Sequence, residues 1–199
     1  MLAATLIVAA AYLIGSVSFA VVVSRAYGLP DPHAYGSGNP GATNVLRTGN
    51  KAAAALTLAG DGAKGWIAVA LAQIAAPALG ASEGTVPAAA LAVFLGHLFP
   101  VFHRFAGGKG VATAAGIMLA LSWPLTLALA AVWLVMAFGF KISSVAALTV
   151  ALLAPIGAFV VFGNTPTAWI WVPIAALLFW RHRANIRKLL TGSETTIGR

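Results

Sequence analysis

The sequence predicts an all-α fold: a polytopic membrane helix bundle whose short interfacial helices and loops form a pocket on one side. Three observations carry this. Of 199 residues, 60% are hydrophobic and 8% charged, with mean hydropathy +0.93, whereas about a quarter of a soluble domain is charged. Apolar runs recur along the whole chain at nearly the ~20-residue length that crosses a bilayer. All 12 Lys and Arg residues fall at alternate ends of those runs.

The elements follow in order. The first run, 2–24, has no basic region before it and ends on Arg25, so it reads as a span rather than a cleaved leader. The second, 53–76, carries Asp61 and Lys64 in its first part, which shortens its wholly apolar stretch. The third covers 86–102. The fourth, 110–123, opens on glycine and is short for a crossing, a form that suits a bundle enclosing a polar pocket. Spans at 124–140, 143–162 and 167–180 complete an expected seven.

Charge sets the expected orientation. With the N-terminus outside, Arg25, Arg47, Lys51, Lys64, Arg104, Lys109, Lys141, Arg181, Arg183, Arg187, Lys188 and Arg199 all lie inside. The opposite connections, 78–84, 122–124 and 163–166, hold no Lys or Arg, as the positive-inside rule requires of an N-out, C-in chain. Trp66, Trp123, Trp169, Trp171 and Trp180 fall near span ends, where indoles anchor. No linker or repeat divides residues 1–199, so one domain is expected, and the lack of inverted halves weighs against a secondary transporter.

Composition excludes several chemistries. There is no cysteine, hence no thiolate site. The net charge of +8 is explained by orientation in the bilayer rather than by nucleic acid. The four acidic residues, Asp31, Asp61, Glu83 and Glu194, and the four histidines, His33, His97, His103 and His182, show no metal-ligand spacing. The Gly-x-Ser-x-Gly elbow, the Walker A loop and a His-x4-Asp acyltransferase signature are all missing.

Three polar segments on the expected inner side remain. In the first, Ser37-Gly38-Asn39-Pro40-Gly41-Ala42-Thr43-Asn44-Val45-Leu46-Arg47, glycines permit a tight turn whose amides form an anion nest. Ser37, Thr43 and Asn44 add polar groups and Arg47 a bidentate cation. An ordinary turn explains the same residues equally well. In the second, His97 is followed by Gly107-Gly108-Lys109-Gly110 and Thr113 at the start of an apolar helix, where free N–H groups and the helix dipole favour phosphate. A snorkelling interfacial lysine is the plainer reading of Lys109 alone. In the third, His182, Arg183 and Asn185 precede Gly192 and Glu194; a basic juxtamembrane tail explains the arginines but not His182, Asn185 or Glu194. Asp61 and Lys64, three apart, either neutralise each other or line the pocket.

Together and in this order, the segments 37–47, 97–113 and 182–194 resemble the three motifs of the bacterial acyl-phosphate:glycerol-3-phosphate acyltransferase family. The resemblance covers about residues 1–195 and includes the seven-span outline. It implies transfer of an acyl group from acyl phosphate to the 1-hydroxyl of sn-glycerol 3-phosphate, giving lysophosphatidic acid and phosphate. It further implies no metal or other cofactor, no nucleic acid, a place among the lipids of the bacterial cytoplasmic membrane with the site facing the cytoplasm, and a functional link to the enzyme that makes acyl phosphate. By the same resemblance Ser37, Arg47, Lys109, His182 and Asn185 are the catalytic set. Gly38, Asn39, Gly41, Thr43, Asn44, Lys64, His97, Gly107, Gly108, Gly110, Thr113, Arg183 and Glu194 surround the substrate phosphates. A small transporter of a phosphorylated metabolite is the alternative, but it calls for polar groups on the outer side, where the loops are short and nearly uncharged.

Overall fold

The computed structural model describes residues 1–197, and among these every regular element is a helix. Arg199, counted above among the inner cations, lies outside the described residues. The chain divides into two compact units, Met1–Leu121 and a second beginning at Ser122.

The first unit contains α1 (Leu2–Gly15), α2 (Phe19–Ala26), α3 (Ala42–Leu46), α4 (Lys51–Ala78), α5 (Thr85–Leu98), a 3-10 turn (Val101–His103) and α6 (Val111–Leu121). The run expected as one helix over 2–24 is broken: α1 and α2 meet at 42° across Ser16-Val17-Ser18. Ser16 Oγ turns back to donate to the Tyr12 carbonyl (2.9 Å), a bond that competes with helix continuation, and accepts from the Val101 N–H (3.3 Å). The Tyr12 hydroxyl donates to the Phe99 carbonyl (2.7 Å), so the break and the chain after α5 hold each other. α5 stops at Leu98 rather than running to 102, because Phe99 precedes Pro100 and takes a non-helical conformation. Asn50 caps α4 by accepting from the Ala53 N–H (2.9 Å). At 28 residues α4 is about 42 Å long, well beyond the ~30 Å hydrocarbon core.

Glycine lets these helices meet backbone to backbone. α1 packs on α5 and α4 on α6. A Cβ at Gly15 would overlap the Val93 carbonyl, at Gly96 the Tyr12 carbonyl, at Gly65 the Thr113 carbonyl, and at Gly116 the Gly62 carbonyl. Small residues drive such packing where lipid removes the hydrophobic incentive. A separate core of Ala20, Val23, Val45, Ala53 and Ala54, flanked by Leu29 and Leu46, joins α2 and α3 to the start of α4.

The second unit contains α7 (Trp123–Phe140), α8 (Ser143–Phe162), α9 (Pro166–Trp169), α10 (Trp171–Arg181) and α11 (Arg183–Leu190). α8 is its centre and packs against α7, α9 and α10. Ser122 caps α7 at the Leu125 N–H (3.4 Å), and Thr165 caps α9 at the Ala168 N–H (3.4 Å). α7 buries Ala137 and leaves Leu127, Leu134, Val135 and Phe138 exposed, a face for lipid rather than water. By length and hydropathy alone, Thr85–His103, α7 and α8 can each cross a membrane, and the bent α1–α2 pair makes a fourth if its two halves form one span.

Replacing Gly116 with Ala should cost about 1–3 kcal/mol, because an added methyl overlaps backbone that can yield only by separating α4 from α6. Thermal unfolding in detergent should show a lowered midpoint. Gly139→Ala on α7, where a Cβ meets nothing within 4 Å, should leave the midpoint unchanged or slightly raised.

Candidate functional site

The first polar segment is built from behind by one asparagine. Asn44, at 2% exposure, accepts from the Ser37 N–H (3.0 Å) and donates to the carbonyls of Pro32 (2.9 Å) and Tyr35 (3.1 Å). The sequence reading counts Asn44 among the phosphate donors; its amide hydrogens instead bond the loop's own backbone, so it shapes the cradle rather than facing into it. Gly36 and Gly38 hold left-handed φ of +59° and +65°, which a side chain would resist. Arg47 folds back over this turn, close enough that a Cβ at Gly36 would stand 3.3 Å from its Nη1. Ser37, Gly38, Thr43 and Arg47 are exposed, while Asn39 and Gly41 are half-buried.

The second segment lies against the first. The Gly108 N–H donates to the His97 carbonyl (3.1 Å). A Cβ on Gly108 would overlap His97 Nε2 and come within 3.0 Å of the Pro40 carbonyl, so glycine here permits the two loops to close together. Gly107 and Gly110 are buried, Gly110 with φ +93° beneath the Phe94 ring. Lys109 is half-buried just ahead of α6. Thr113, expected at the phosphate, is fully buried and donates to the Asp61 carbonyl (2.9 Å), fastening α6 to α4.

Beneath these loops sits a buried ionic cluster. Lys64 and Asp61 are each 3% exposed. Lys64 Nζ lies 3.0 Å from Asp61 Oδ1 as an ion pair and donates its hydrogen bond to the Val17 carbonyl at the α1–α2 break (2.7 Å). His97 Nδ1 stands 3.6 Å from the same Asp61 oxygen. Asp61 and Lys64 pair, and Lys64 also borders a narrow crevice with Ser18, His97, Pro100, Gly107 and Gly108.

The third segment belongs to the second unit. His182 is buried with Nδ1 2.8 Å from the Leu178 carbonyl, which fixes the tautomer with hydrogen on Nδ1. Glu194 Oε1 accepts from Asn185 Nδ2 and from Ser144 Oγ (2.8 Å) at the start of α8. Glu194 thus holds Asn185 in place. Ser144 is absent from the sequence reading; its one sequence signal is a hydroxyl opening an apolar span. Arg183 is exposed and stacks on the Trp180 ring at 4.7 Å, the posture of an interfacial anchor rather than of a pocket residue. The structure thus brings Ser37–Arg47, Lys64, His97 and the Gly107–Thr113 stretch together in the first unit, and gathers His182, Asn185, Glu194 and Ser144 in the second.

The chain is similar to known proteins in both sequence and fold. The family model described as glycerol-3-phosphate acyltransferase matches residues 5–192. A glycerol-3-phosphate acyltransferase of Cupriavidus pinatubonensis is 63% identical over 189 residues, 95% of this chain and 94% of that protein. One of Neisseria meningitidis serogroup B is 57% identical over 191 residues, 96% of each. Among solved structures, PlsY (YgiH), an integral membrane glycerol 3-phosphate acyltransferase, superposes in its glycerol 3-phosphate form with a TM-score of 0.90 at 37% identity, covering 98% of this chain and 96% of that one. Its lysophosphatidic acid form superposes with a TM-score of 0.87. Fold and sequence agree along nearly the whole length, and the chain belongs to the glycerol-3-phosphate acyltransferase family.

Proposed function

We propose that this protein transfers an acyl group from acyl phosphate to the 1-hydroxyl of sn-glycerol 3-phosphate, releasing lysophosphatidic acid and inorganic phosphate. The observation that carries the reading is the closure of the Ser37–Arg47 and Gly107–Gly110 loops on each other in one unit of a membrane protein. Two phosphate-bearing substrates and one acyl chain call for that combination. The crystal forms of the related PlsY, one with glycerol 3-phosphate and one with lysophosphatidic acid, support the same substrate and product here.

In this reaction the glycerol oxygen attacks the acyl carbonyl carbon, and the carbon–oxygen bond to phosphate breaks. Acyl phosphate is already activated, so a phosphate oxygen of the substrates suffices to take the hydroxyl proton, without a strong protein base. Ser37, Arg47 and the amides around Gly38, Asn39, Gly41 and Thr43 hold one phosphate. Lys109, with Gly107, Gly108 and Gly110 at the head of α6, stabilises negative charge on the departing phosphate. His182 and Asn185 orient glycerol 3-phosphate, with Glu194 setting Asn185. His97 and Lys64 order the floor of the crevice.

The same reading takes residues 1–199 as one acyltransferase domain, supported by a family match that runs through both units. It also takes the seven-span, N-out and C-in arrangement in the cytoplasmic membrane with the site facing the cytoplasm, supported by the one-sided distribution of Lys and Arg. A functional link to the acyl-phosphate-producing enzyme follows from the instability of such a donor in water.

Purified protein given acyl phosphate and labelled glycerol 3-phosphate should form labelled lysophosphatidic acid; product from acyl-CoA alone would overturn the donor. Lys109→Ala and Arg47→Ala should each lower kcat by about 10²–10³, the range for removing a charge-stabilising donor, while the protein stays folded by detergent gel filtration. Glu194→Ala should reduce kcat/KM for glycerol 3-phosphate about 10- to 100-fold, because Asn185 and Ser144 lose a charged acceptor. Steady-state kinetics in the two substrates should confine that loss to the glycerol 3-phosphate side.

A further inference from the structure

Both ring nitrogens of His33 face oxygens that can only accept. Nδ1 lies 2.7 Å from Asp31 Oδ1, and Nε2 lies 2.9 Å from the Ala106 carbonyl. A peptide carbonyl has no proton to give, nor has an ionised carboxylate. Asp31 is ionised: the His33 backbone N–H, 2.9 Å from the same oxygen, and then the His33 ring hold its carboxyl below the usual carboxylate range. A neutral imidazole carries one hydrogen and would turn a lone pair on one of the two oxygens. The imidazolium alone makes both bonds.

These bonds connect the two glycine loops at a separation of 73 residues. On one side, Pro32 lies between Asp31 and His33 and its carbonyl is gripped by Asn44, the residue that also holds the Ser37 amide. On the other side, Ala106 directly precedes Gly107-Gly108-Lys109. The other ionisable groups bearing on the cluster are His103, Arg25, Lys64 and Tyr35. The His103 ring is 6.4 Å away; burial, then the charge of His33, holds it below the usual imidazole range. His33 is about one quarter exposed and Asp31 about half, so water reaches both side chains.

We propose that His33 is a positioning residue for acyl transfer: as the imidazolium it straps the Asp31–Ser37 segment to the Ala106–Lys109 stretch, and the strap loosens when rising pH removes the ring proton. The inference rests on the acyl-transfer reading for its activity readout alone. Because the protonated form makes the extra bond, the strap is intact at low pH and is lost as pH rises.

The test compares wild type with His33→Ala and Asp31→Asn. In wild type, kcat/KM should decline with rising pH, as the geometry of two acceptors on one ring requires. His33→Ala should lower kcat/KM about tenfold at low pH, short of the ~100-fold penalty for moving a reacting group by an ångström, and should not show that decline. Asp31→Asn should keep low-pH activity and also lose the decline, because an asparagine amide can donate to a neutral ring that still bonds Ala106. Taking ratios of profiles cancels the ionisation of the substrates themselves. Hydrogen exchange at the 103–108 amides, corrected for intrinsic rates, supplies a readout independent of catalysis: protection should fall with pH in wild type and be low throughout in His33→Ala. Exchange behaving this way in a protein that transfers no acyl group would support the strap while refuting the proposed function. A His33→Ala protein with wild-type kcat/KM, the same pH profile and unchanged exchange would overturn the strap, as would an Asp31→Asn profile identical to that of wild type.

Discussion

A helix that breaks inside an apolar bundle leaves backbone groups with no water to satisfy them, and the first unit is organised around that demand. The break at Ser16-Val17-Ser18 presents the Val17 carbonyl inward, and Lys64 reaches it from α4. A lysine so deeply buried needs a counter-charge, which Asp61 supplies one turn earlier. Removing one partner from such a pair costs about 3–5 kcal/mol, since the other charge remains buried. Asp61 in turn stands beside His97 and offers its own carbonyl to Thr113. One broken helix thus fixes the relation of α1, α4, α5 and α6, and with it the floor beneath the two loops.

Glycine does the complementary work. Where α1 meets α5 and α4 meets α6, carbonyls occupy the space a side chain would need. The same economy of volume reappears at the loops, where Gly108 fits between His97 and Pro40 and Gly36 between Asn44 and Arg47. Close approach lets backbone amides, rather than long flexible side chains, line the two loops, and in the proposed site a cradle of that kind would lose little entropy when a phosphate enters.

Much of the helical outline was legible in the sequence, because apolar runs of bilayer length and their flanking charges are local properties. The helices over 124–140 and 143–162 begin and end within a residue or so of the expected places. The first run was not, since Ser16 and Ser18 are weak breakers on their own; it takes Val101, Phe99 and Lys64 to stabilise the bend. The candidate site divides in the same way. Ser37, Arg47 and Lys109 were readable as phosphate-binding types in glycine-rich surroundings. Asn44 and Thr113 carry the same polar chemistry, yet the fold turns them to backbone carbonyls. Ser144 and His33 acquire meaning only through Glu194 and Ala106, far away in sequence.

By itself, then, the sequence determined that this protein is a membrane helix bundle, which residues carry charge along it, and which three segments have the composition of a phosphate site. Tertiary structure decided which polar groups stay exposed at the loops and which hold the frame. The physical reason is that burying a polar group without a partner is costly, and for Tyr12, Lys64, Thr113 and Ser144 that partner is reached by contact across 40 to 90 residues rather than among neighbours along the chain. Lys64 shows the difference most plainly: its type and position were written in the sequence, while its service to the Val17 carbonyl exists only in the fold.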